Sequence, residues 1–115
     1  MHELSITQDI LDIAIKTAKE QNALKIKKIN LIIGQFTYYQ PESIEFFMNI
    51  IAKDTIAEGV KIEVKSLPLE VECNDCHSRT IIKEPYEFVC SKCNCYNLKI
   101  ITGKEMYVDS IDIEN

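Results

Sequence analysis

Glycine and proline are scarce in this 115-residue chain, with three of each, and no apolar run approaches the length of a membrane span. Because the hydrophobic and charged fractions are ordinary, a collagen-like, low-complexity or disordered chain is excluded. A helix that crosses a bilayer needs roughly 20 consecutive apolar residues, so we do not expect a membrane protein. A chain of this length has room for one compact domain, or for one domain with a small appendage.

Positive charge and histidine are scarce as well. The chain has 13 Lys and Arg residues against 18 Asp and Glu residues, a net charge of −5. Neutralising phosphates requires the opposite sign, so a nucleic acid is not the expected partner. The only histidines are His2 and His77, which leaves general acid–base catalysis almost without its usual residue. With no Ser/His/Asp set, phosphate loop or catalytic carboxylate pair, the sequence predicts a protein that is not an enzyme.

The beginning of the chain does not resemble a secretory signal. Residues 1–4 lack a basic start, and Asp9, Asp12 and Lys16 interrupt the stretch that follows. The segment therefore predicts an amphipathic helix, and the expected compartment is the cytoplasm. Disulfides are rare there, and clustered cysteines usually bind metal or carry out redox chemistry.

Four of the five cysteines form two C-x-x-C pairs, Cys73/Cys76 and Cys90/Cys93. A two-residue gap lets both sulfurs of a tight turn, or knuckle, face one point. Two such knuckles can complete a tetrahedron at about 2.3 Å from a zinc ion. The spacing predicts a structural zinc ribbon in preference to an iron site, a redox dithiol or disulfides.

The thirteen residues between the pairs predict two short strands, 80–82 and 86–89, on either side of Pro85. Five acidic and three basic residues lie between positions 69 and 98. A ribbon that binds nucleic acid needs a cationic face, so this one is expected to be structural or to contact protein.

Two features of the cysteine region allow other interpretations. Cys73 to His77 reads C-x-x-C-H, the attachment pattern of c-type haem, but that reading leaves the second pair unexplained. His77 is more simply a polar residue beside the cluster, although a histidine touching a thiolate could tune a zinc site or make it pH-sensitive. Cys95 is either a spare thiol or an alternative ligand, and the sequence does not decide between them.

The first half of the chain predicts a helix, a strand, a second helix and a second strand, and a further strand ends the chain. These elements are expected at Leu4–Glu20, Lys25–Ile33, a helix from Pro41, Val60–Lys65 and Met106–Ile113. Ser5–Gln8 could form a capping box, although the helix could also begin a residue or two earlier. An apolar phase shift near Ser110 suggests a bulge or strong twist.

Each helix has one predicted apolar face, which we assign to the core. On the first helix this face holds Ile6, Ile10, Ile13, Ala14 and Thr17. On the second helix it holds Ile44, Phe47, Met48 and Ile51. The second set follows the i, i+3, i+4, i+7 spacing of a helix stripe, and we assign it no cofactor.

Two helices and a bare hairpin would form a poor core, so the last strand should return to the first two. The predicted fold class is α+β, a three-stranded sheet with two helices on one face, plus an inserted zinc-ribbon domain. The α+β domain is expected to comprise residues 1–67 together with 102–115, and the four-cysteine zinc ribbon residues 68–101.

His2 could form a second metal site with the start of the chain. The amine of Met1, the backbone nitrogen of His2 and its imidazole can close fused chelate rings. Such a nitrogen-rich planar set suits Ni(II) or Cu(II) better than zinc. Glu3 could add an oxygen ligand, and Met1 should be retained because initiator removal generally requires a small second residue. The plain alternative is a solvated histidine.

Several short segments occur together in one order: Met1–Glu3, Ile33–Gly34, Pro41–Ser43, Ala57–Gly59, the two C-x-x-C knuckles and a terminal strand. In that order they resemble the HypA/HybF family of hydrogenase nickel-insertion accessory proteins, and the resemblance covers the whole chain. It implies a nickel metallochaperone that supplies Ni(II) to the precursor of the large subunit of NiFe-hydrogenase. The family works with the maturation GTPase HypB, and in some organisms it also serves urease.

The resemblance also assigns residues. The nickel ligand of the family falls on His2, with Met1 and Glu3 as contributors. Its structural zinc thiolates fall on Cys73, Cys76, Cys90 and Cys93. The expected partners are thus HypB and the large-subunit precursor, with no nucleic acid or membrane, and the protein would be a monomer or a homodimer. Some members carry histidines beside both cysteine pairs, whereas here Asn94 follows the second pair.

Two other classes compete with this interpretation. One is a zinc-ribbon adaptor that contacts protein and has no nickel role. The other is a thiol oxidoreductase, which would need one accessible thiolate of low pKa. Zinc bound to all four sulfurs would exclude this interpretation.

Overall fold

The computed structural model describes residues 2–37 and 39–115, apart from the side chains of His2 and Pro85. Helices α1 and α2 run over His2–Glu20 and Pro41–Ile51, and a 3₁₀ turn over Pro85–Glu87. The strands are β1 Lys25–Gly34, β2 Lys61–Leu67, β3 Leu69–Cys73, β4 Arg79–Ile82, β5 Leu98–Thr102 and β6 Met106–Glu114. The predicted α+β class is confirmed. No helix in the described ranges is long and apolar enough to cross a membrane.

Two three-stranded sheets organise these elements, in the orders β2-β1-β6 and β4-β3-β5. The last strand therefore lies beside the first, as predicted. This arrangement gives β1 a partner on both edges, which a two-stranded hairpin would lack.

The central position of β1 is visible in its burial. Ile26, Ile29 and the run Leu31–Ile33 are all buried. The polar side chains of the strand reach its neighbours instead. Lys28 Nζ lies 2.9 Å from a carboxylate oxygen of Glu63 on β2, and this contact lowers the pKa of the Glu63 carboxyl through a hydrogen bond and charge attraction.

Helix α1 begins at His2, the earlier start that the sequence allowed, so Ser5 lies within the helix and the capping box at Ser5–Gln8 is not formed at its start. Thr7 is fully buried, and its hydroxyl donates a hydrogen bond to the carbonyl oxygen of Glu3. A buried hydroxyl needs a partner, and this bond supplies one from the preceding turn.

The buried face of α1 is also rotated from the predicted one. The buried residues are Thr7, Ile10, Leu11, Ala14 and Ala18. Ile13 is 51 % exposed and Thr17 is exposed as well, so their assignment to the core is wrong. The two alanines are both fully buried, and their small side chains permit close approach along this face.

The predicted buried face of helix α2 is confirmed more closely than that of α1. Pro41 occupies the first turn, where its missing N–H costs no helical hydrogen bond. Ile44 and Met48 are fully buried, and Phe47 and Ile51 are half-buried. Helices α1 and α2 pack against each other.

The chain forms two compact units. The first comprises Met1–Ile32, Tyr38–Lys65 and Tyr107–Asn115, and the second comprises Ile33–Thr37 and Ser66–Met106. The second unit contains the five cysteines together with a short segment from the first half of the chain. The predicted division at residues 67/68 and 101/102 stays a prediction.

The core of the second unit is small. One buried hydrophobic cluster in it comprises Leu69, Val71 and Ile82, from β3 and β4. Phe36, Phe88 and Leu98 pack against them. Strand β3 pairs antiparallel with β4, from Leu69 opposite Ile82 to Glu72 opposite Arg79, and with β5 on its other edge.

The strand predicted at residues 86–89 is wrong. Pro85 opens a 3₁₀ turn instead, and a proline lacks the N–H that a sheet ladder requires. The partner of β4 is β3, the strand that precedes the first knuckle. Phe88 contributes its ring to the core of the second unit from this irregular segment.

Two glycines allow backbone segments of the second unit to cross at contact distance. A Cβ atom on Gly34 would lie 2.2 Å from the carbonyl carbon of Gly103. A Cβ atom on Gly103 would lie 2.5 Å from the Cα atom of Leu69. Gly103 also has φ of 115°, a conformation that side chains disfavour. We call this crossing of Gly34, Gly103 and Leu69 the glycine stack.

Removing β6 should destabilise the sheet β2-β1-β6. We expect deletion of residues 104–115 to lower the thermal midpoint sharply or abolish a cooperative transition, because one edge of buried β1 would lose its backbone partners. Circular dichroism melting measures this. Deleting Asn115 alone, which lies outside β6, is the control, and an unchanged transition in the longer deletion would contradict the prediction.

Candidate metal centre

The two cysteine knuckles share one backbone construction. The carbonyl oxygen of Cys73 accepts a hydrogen bond from the N–H of His77 at 2.9 Å, and that of Cys90 accepts one from Asn94 at 3.0 Å. His77 and Asn94 both have positive φ, 63° and 61°. A left-handed residue directly after each C-x-x-C pair thus reverses the chain and turns both sulfurs of the pair inward.

Backbone amides point at the first sulfur of each knuckle. Cys73 Sγ accepts hydrogen bonds from the amides of Asp75 and Cys76, both at 3.4 Å. Cys90 Sγ accepts them from Lys92 at 3.4 Å and Cys93 at 3.5 Å. These donors stabilise negative charge on sulfur, which is the form that binds metal.

The pKa values of these two thiols follow from the same contacts. A hydrogen bond from the Cys95 thiol, followed by the knuckle amides, lowers the pKa of Cys73 to about 6. The amides of Cys93 and Lys92 lower the pKa of Cys90. Both sulfurs are therefore biased towards thiolate before any cation arrives.

The four paired sulfurs converge on one point. The Sγ atoms of Cys73, Cys76, Cys90 and Cys93 all lie within 4.8 Å of one another. Across the two knuckles, Cys73 and Cys93 are 3.5 Å apart and Cys76 and Cys90 are 3.6 Å apart. A tetrahedron with metal–sulfur bonds of about 2.3 Å has edges of about 3.8 Å. The observed spacing fits four thiolates around one zinc-sized cation.

Within each knuckle the first cysteine is buried and the second is exposed. Cys73 ends strand β3, and its amide donates to the carbonyl oxygen of Ser78 at 2.9 Å. The second knuckle is tied to β4, because the amide of Ser91 donates to the Thr80 hydroxyl at 3.3 Å. The sheet β4-β3-β5 thus sets the separation of the two knuckles.

The side chain of His77 is exposed and does not join the converging ligand atoms among the described residues. It remains a polar residue beside the cluster, as predicted. Sequence reasoning missed its backbone role, although one signal was present: His77 and Asn94 occupy the same position after each pair, and asparagine favours the left-handed conformation.

Cys95 lies against the cluster rather than apart from it. Its Sγ is 3.0 Å from Cys73 Sγ, and this contact raises the pKa of the Cys95 thiol. Cys95, Cys73 and the carboxylate of Asp75 form a second group of converging ligand atoms.

Of the predicted nickel ligands, Met1 and the side chain of His2 lie outside the described residues. The backbone of His2 is the first residue of α1, and Glu3 follows it in the first helical turn. The side chain of Glu3 is half-buried.

The family model "Hydrogenase/urease nickel incorporation, metallochaperone, hypA" matches residues 1–113. The chain belongs to the HypA family. Members of the HypA family are maturation factors, and this chain is accordingly not an enzyme.

Curated HypA relatives align over nearly the whole chain. "Hydrogenase maturation factor HypA" of Dehalococcoides mccartyi strain 195 is 36 % identical over 115 residues, covering 100 % of this chain and 96 % of the relative. The protein of the same name from Moorella thermoacetica is 32 % identical, covering 95 % and 96 %.

Solved HypA structures share the fold. One, described as "Solution structure of HypA protein", has a TM-score of 0.76 at 23 % identity and covers 98 % of this chain and 96 % of its own. The Ni metallochaperone HypA from Helicobacter pylori has a TM-score of 0.66 at 22 % identity, covering 97 % of each chain.

Proposed function

We propose that this chain is a nickel metallochaperone of hydrogenase maturation, which binds Ni(II) at His2 and delivers it to the large-subunit precursor of a NiFe-hydrogenase. Membership of the HypA family across residues 1–113 is the observation that carries the proposal. The transfer would take place in the cytoplasm with a HypB-type GTPase as partner. The task is ligand exchange on a cation: bonds to nickel form and break and the nitrogen donors release protons, while the covalent chain of the protein is unchanged.

The nickel site we propose combines the amine of Met1, the backbone nitrogen and imidazole of His2, and Glu3. His2 opens α1, and the first four amides of a helix have no intrahelical acceptor, so its backbone nitrogen is available. The positive end of the helix dipole disfavours a cation there. We therefore expect nickel to be held loosely enough to pass to a partner, with the carboxylate of Glu3 partly offsetting the dipole.

We propose that Cys73, Cys76, Cys90 and Cys93 hold a structural zinc ion. The fit rests on the sulfur spacing and on the amide donors to Cys73 and Cys90. A zinc ion with four thiolates has no open position for substrate. Its contribution is to fix the two knuckles, while the chain's own amides hold the thiolates in place.

Exposed aromatic side chains on the second unit favour a protein contact as part of this function. Tyr86 is 81 % exposed and Tyr96 is 79 % exposed. Aromatic residues are enriched where proteins bind proteins. The same observation supports the alternative, a zinc-ribbon adaptor with no nickel role, and the two functions differ in whether the protein binds Ni(II).

The test is nickel titration of the untagged protein by calorimetry, with metal analysis. We expect His2→Ala to abolish stoichiometric nickel binding and leave zinc content unchanged, because the substitution removes the imidazole nitrogen of the chelate. His77→Ala is the matched control and should titrate normally. An unaltered nickel titration of His2→Ala would leave the adaptor as the better interpretation.

Nickel binding should also depend on acidity in a defined direction. The amine, the imidazole and the backbone amide of the chelate must lose protons to bind, so nickel occupancy should fall as the pH drops through roughly 8 to 6.5, the ordinary pKa range of the imidazole and the amine. Titrations repeated across that range check the prediction, and a pH-independent affinity would contradict the nitrogen chelate.

A further inference from the structure

The second unit brings five sulfurs to a site that a tetrahedral cation fills with four. We propose that Cys95 is a reserve ligand for the position that Cys93 occupies, so that the centre keeps four thiolates when Cys93 is lost. The inference rests on the zinc centre proposed above.

Both candidates for this position lie beside the same buried sulfur. Cys73 Sγ is 3.5 Å from Cys93 Sγ and 3.0 Å from Cys95 Sγ. Cys93 and Cys95 therefore both lie on the side of the cluster next to Cys73, the residue that ends β3. Cys93 is exposed and Cys95 is partly buried, so the second is already sheltered against the cluster.

The backbone keeps Cys95 on the same closed turn as the ligands. The amide of Cys90 donates to the carbonyl oxygen of Cys95 at 3.0 Å, and the amide of Asn94 donates to the carbonyl oxygen of Cys90 at 3.0 Å. These two bonds return residue 95 to the start of the knuckle. Exchange between the two sulfurs thus requires only a local rearrangement of residues 93–95.

The spacing that results is an acceptable one for zinc. Using Cys95 turns the second knuckle from C-x-x-C into Cys90-x₄-Cys95, and zinc ligand pairs typically span two to four residues. Replacing Cys73 instead would require Cys93 and Cys95, separated by a single residue, to bind side by side. The replacement therefore fits the position of Cys93 and does not fit that of Cys73.

The first knuckle has no such reserve. Cys76 matches Cys93 as the exposed second cysteine of its pair, but the next two residues are His77 and Ser78. Asp75 can supply only an oxygen beside Cys73 and Cys95. The chain thus contains its own matched control, because losing Cys76 leaves no thiol to take its place.

The experiment counts sulfurs around zinc by X-ray absorption in full-length protein purified under reducing conditions. We expect four in the unaltered protein, in Cys93→Ser and in Cys95→Ser, but three in Cys76→Ser and in the double variant Cys93→Ser/Cys95→Ser. Cobalt substitution gives an independent count through its thiolate charge-transfer bands. Three sulfurs in Cys93→Ser, or in Cys95→Ser, would overturn the reserve role.

Alkylation of the zinc-loaded protein supplies a second measurement that does not depend on sulfur counting. The unaltered protein should have one thiol left free for alkylation, Cys95, which reacts slowly because it is partly buried, and Cys93→Ser should have none. A reactive Cys95 in Cys93→Ser, including one exposed because that variant does not fold, would refute the inference. Fewer than four sulfurs in the unaltered protein would instead refute the zinc centre itself.

Discussion

Replacing Cys73 by serine is expected to release zinc and unfold the second unit between residues 69 and 98. Cys73 is fully buried at the end of β3, and its sulfur accepts two amide hydrogen bonds. In the substituted protein the β3–β4 side of that unit would rely on the small cluster of Leu69, Val71 and Ile82 and the aromatic and aliphatic groups packed against it. Zinc contributes about 10–16 kcal/mol to folding in isolated zinc-finger peptides, far more than so small a core can replace.

Hydrogen exchange followed residue by residue measures this outcome. Amides of β3, β4 and β5 should lose protection in Cys73→Ser, while those of α1 and α2 keep it, because the helices contribute to a separate compact unit. Cys95→Ser removes a neighbouring thiol and serves as the control that should retain protection. Strong protection of β3 in Cys73→Ser would contradict a ribbon that depends on metal.

The second large effect is expected at the glycine stack. Alanine at Gly34 would place a methyl group 2.2 Å from backbone atoms of Gly103, and alanine at Gly103 would approach Leu69 Cα at 2.5 Å. Backbone cannot rotate away as a side chain does, so the segments must separate. We expect each substitution to lower the free energy of unfolding by about 3 kcal/mol, the upper part of the usual range for overpacking.

Gly59→Ala is the matched control for this prediction. Gly59 has φ of 77°, but a Cβ atom there would meet nothing within 4 Å. Its substitution should cost only the strain of a left-handed residue, about 1 kcal/mol. Urea unfolding of the three variants, monitored by circular dichroism, separates the effect of a clash with backbone atoms from the strain of a left-handed residue. Similar losses at Gly34 and Gly59 would show that the crossing tolerates a methyl group.

The elements that sequence reasoning predicted well are those with a local signal. Strand β1 is rich in β-branched residues and ends at Gly34, and α2 opens at Pro41 with a regular apolar stripe. The knuckles followed from cysteine spacing alone, because a two-residue gap leaves few ways to direct both sulfurs to one point.

The misjudged face of α1 shows where periodicity is ambiguous. The helix carries apolar residues around much of its circumference, so Ile13 and Leu11 each fit a helical stripe. Packing decides between such stripes, and here it selects the side with Ala14 and Ala18, which permits close approach. A helix pattern gives the spacing of a face but not which of two neighbouring faces a partner will cover.

Features that depend on distant residues had no sequence signal at all. Gly34 could be recognised as the end of a strand, but its contact with Gly103 joins positions far apart in the chain. In the same way, the sequence left Cys95 undecided between a spare thiol and a ligand. Only the fold brings its sulfur to 3.0 Å from that of Cys73.

The composition of the second unit has a practical consequence for protein engineering. Phe36 comes from the segment Ile33–Thr37, far upstream of the cysteines, yet it packs on the core of Leu69, Val71 and Ile82. A peptide cut out as residues 68–101 would leave that side of its interior open to water. Residues 68–101 are therefore not sufficient to transfer the ribbon into another protein. An engineered version must also supply a side chain that takes the place of the Phe36 ring.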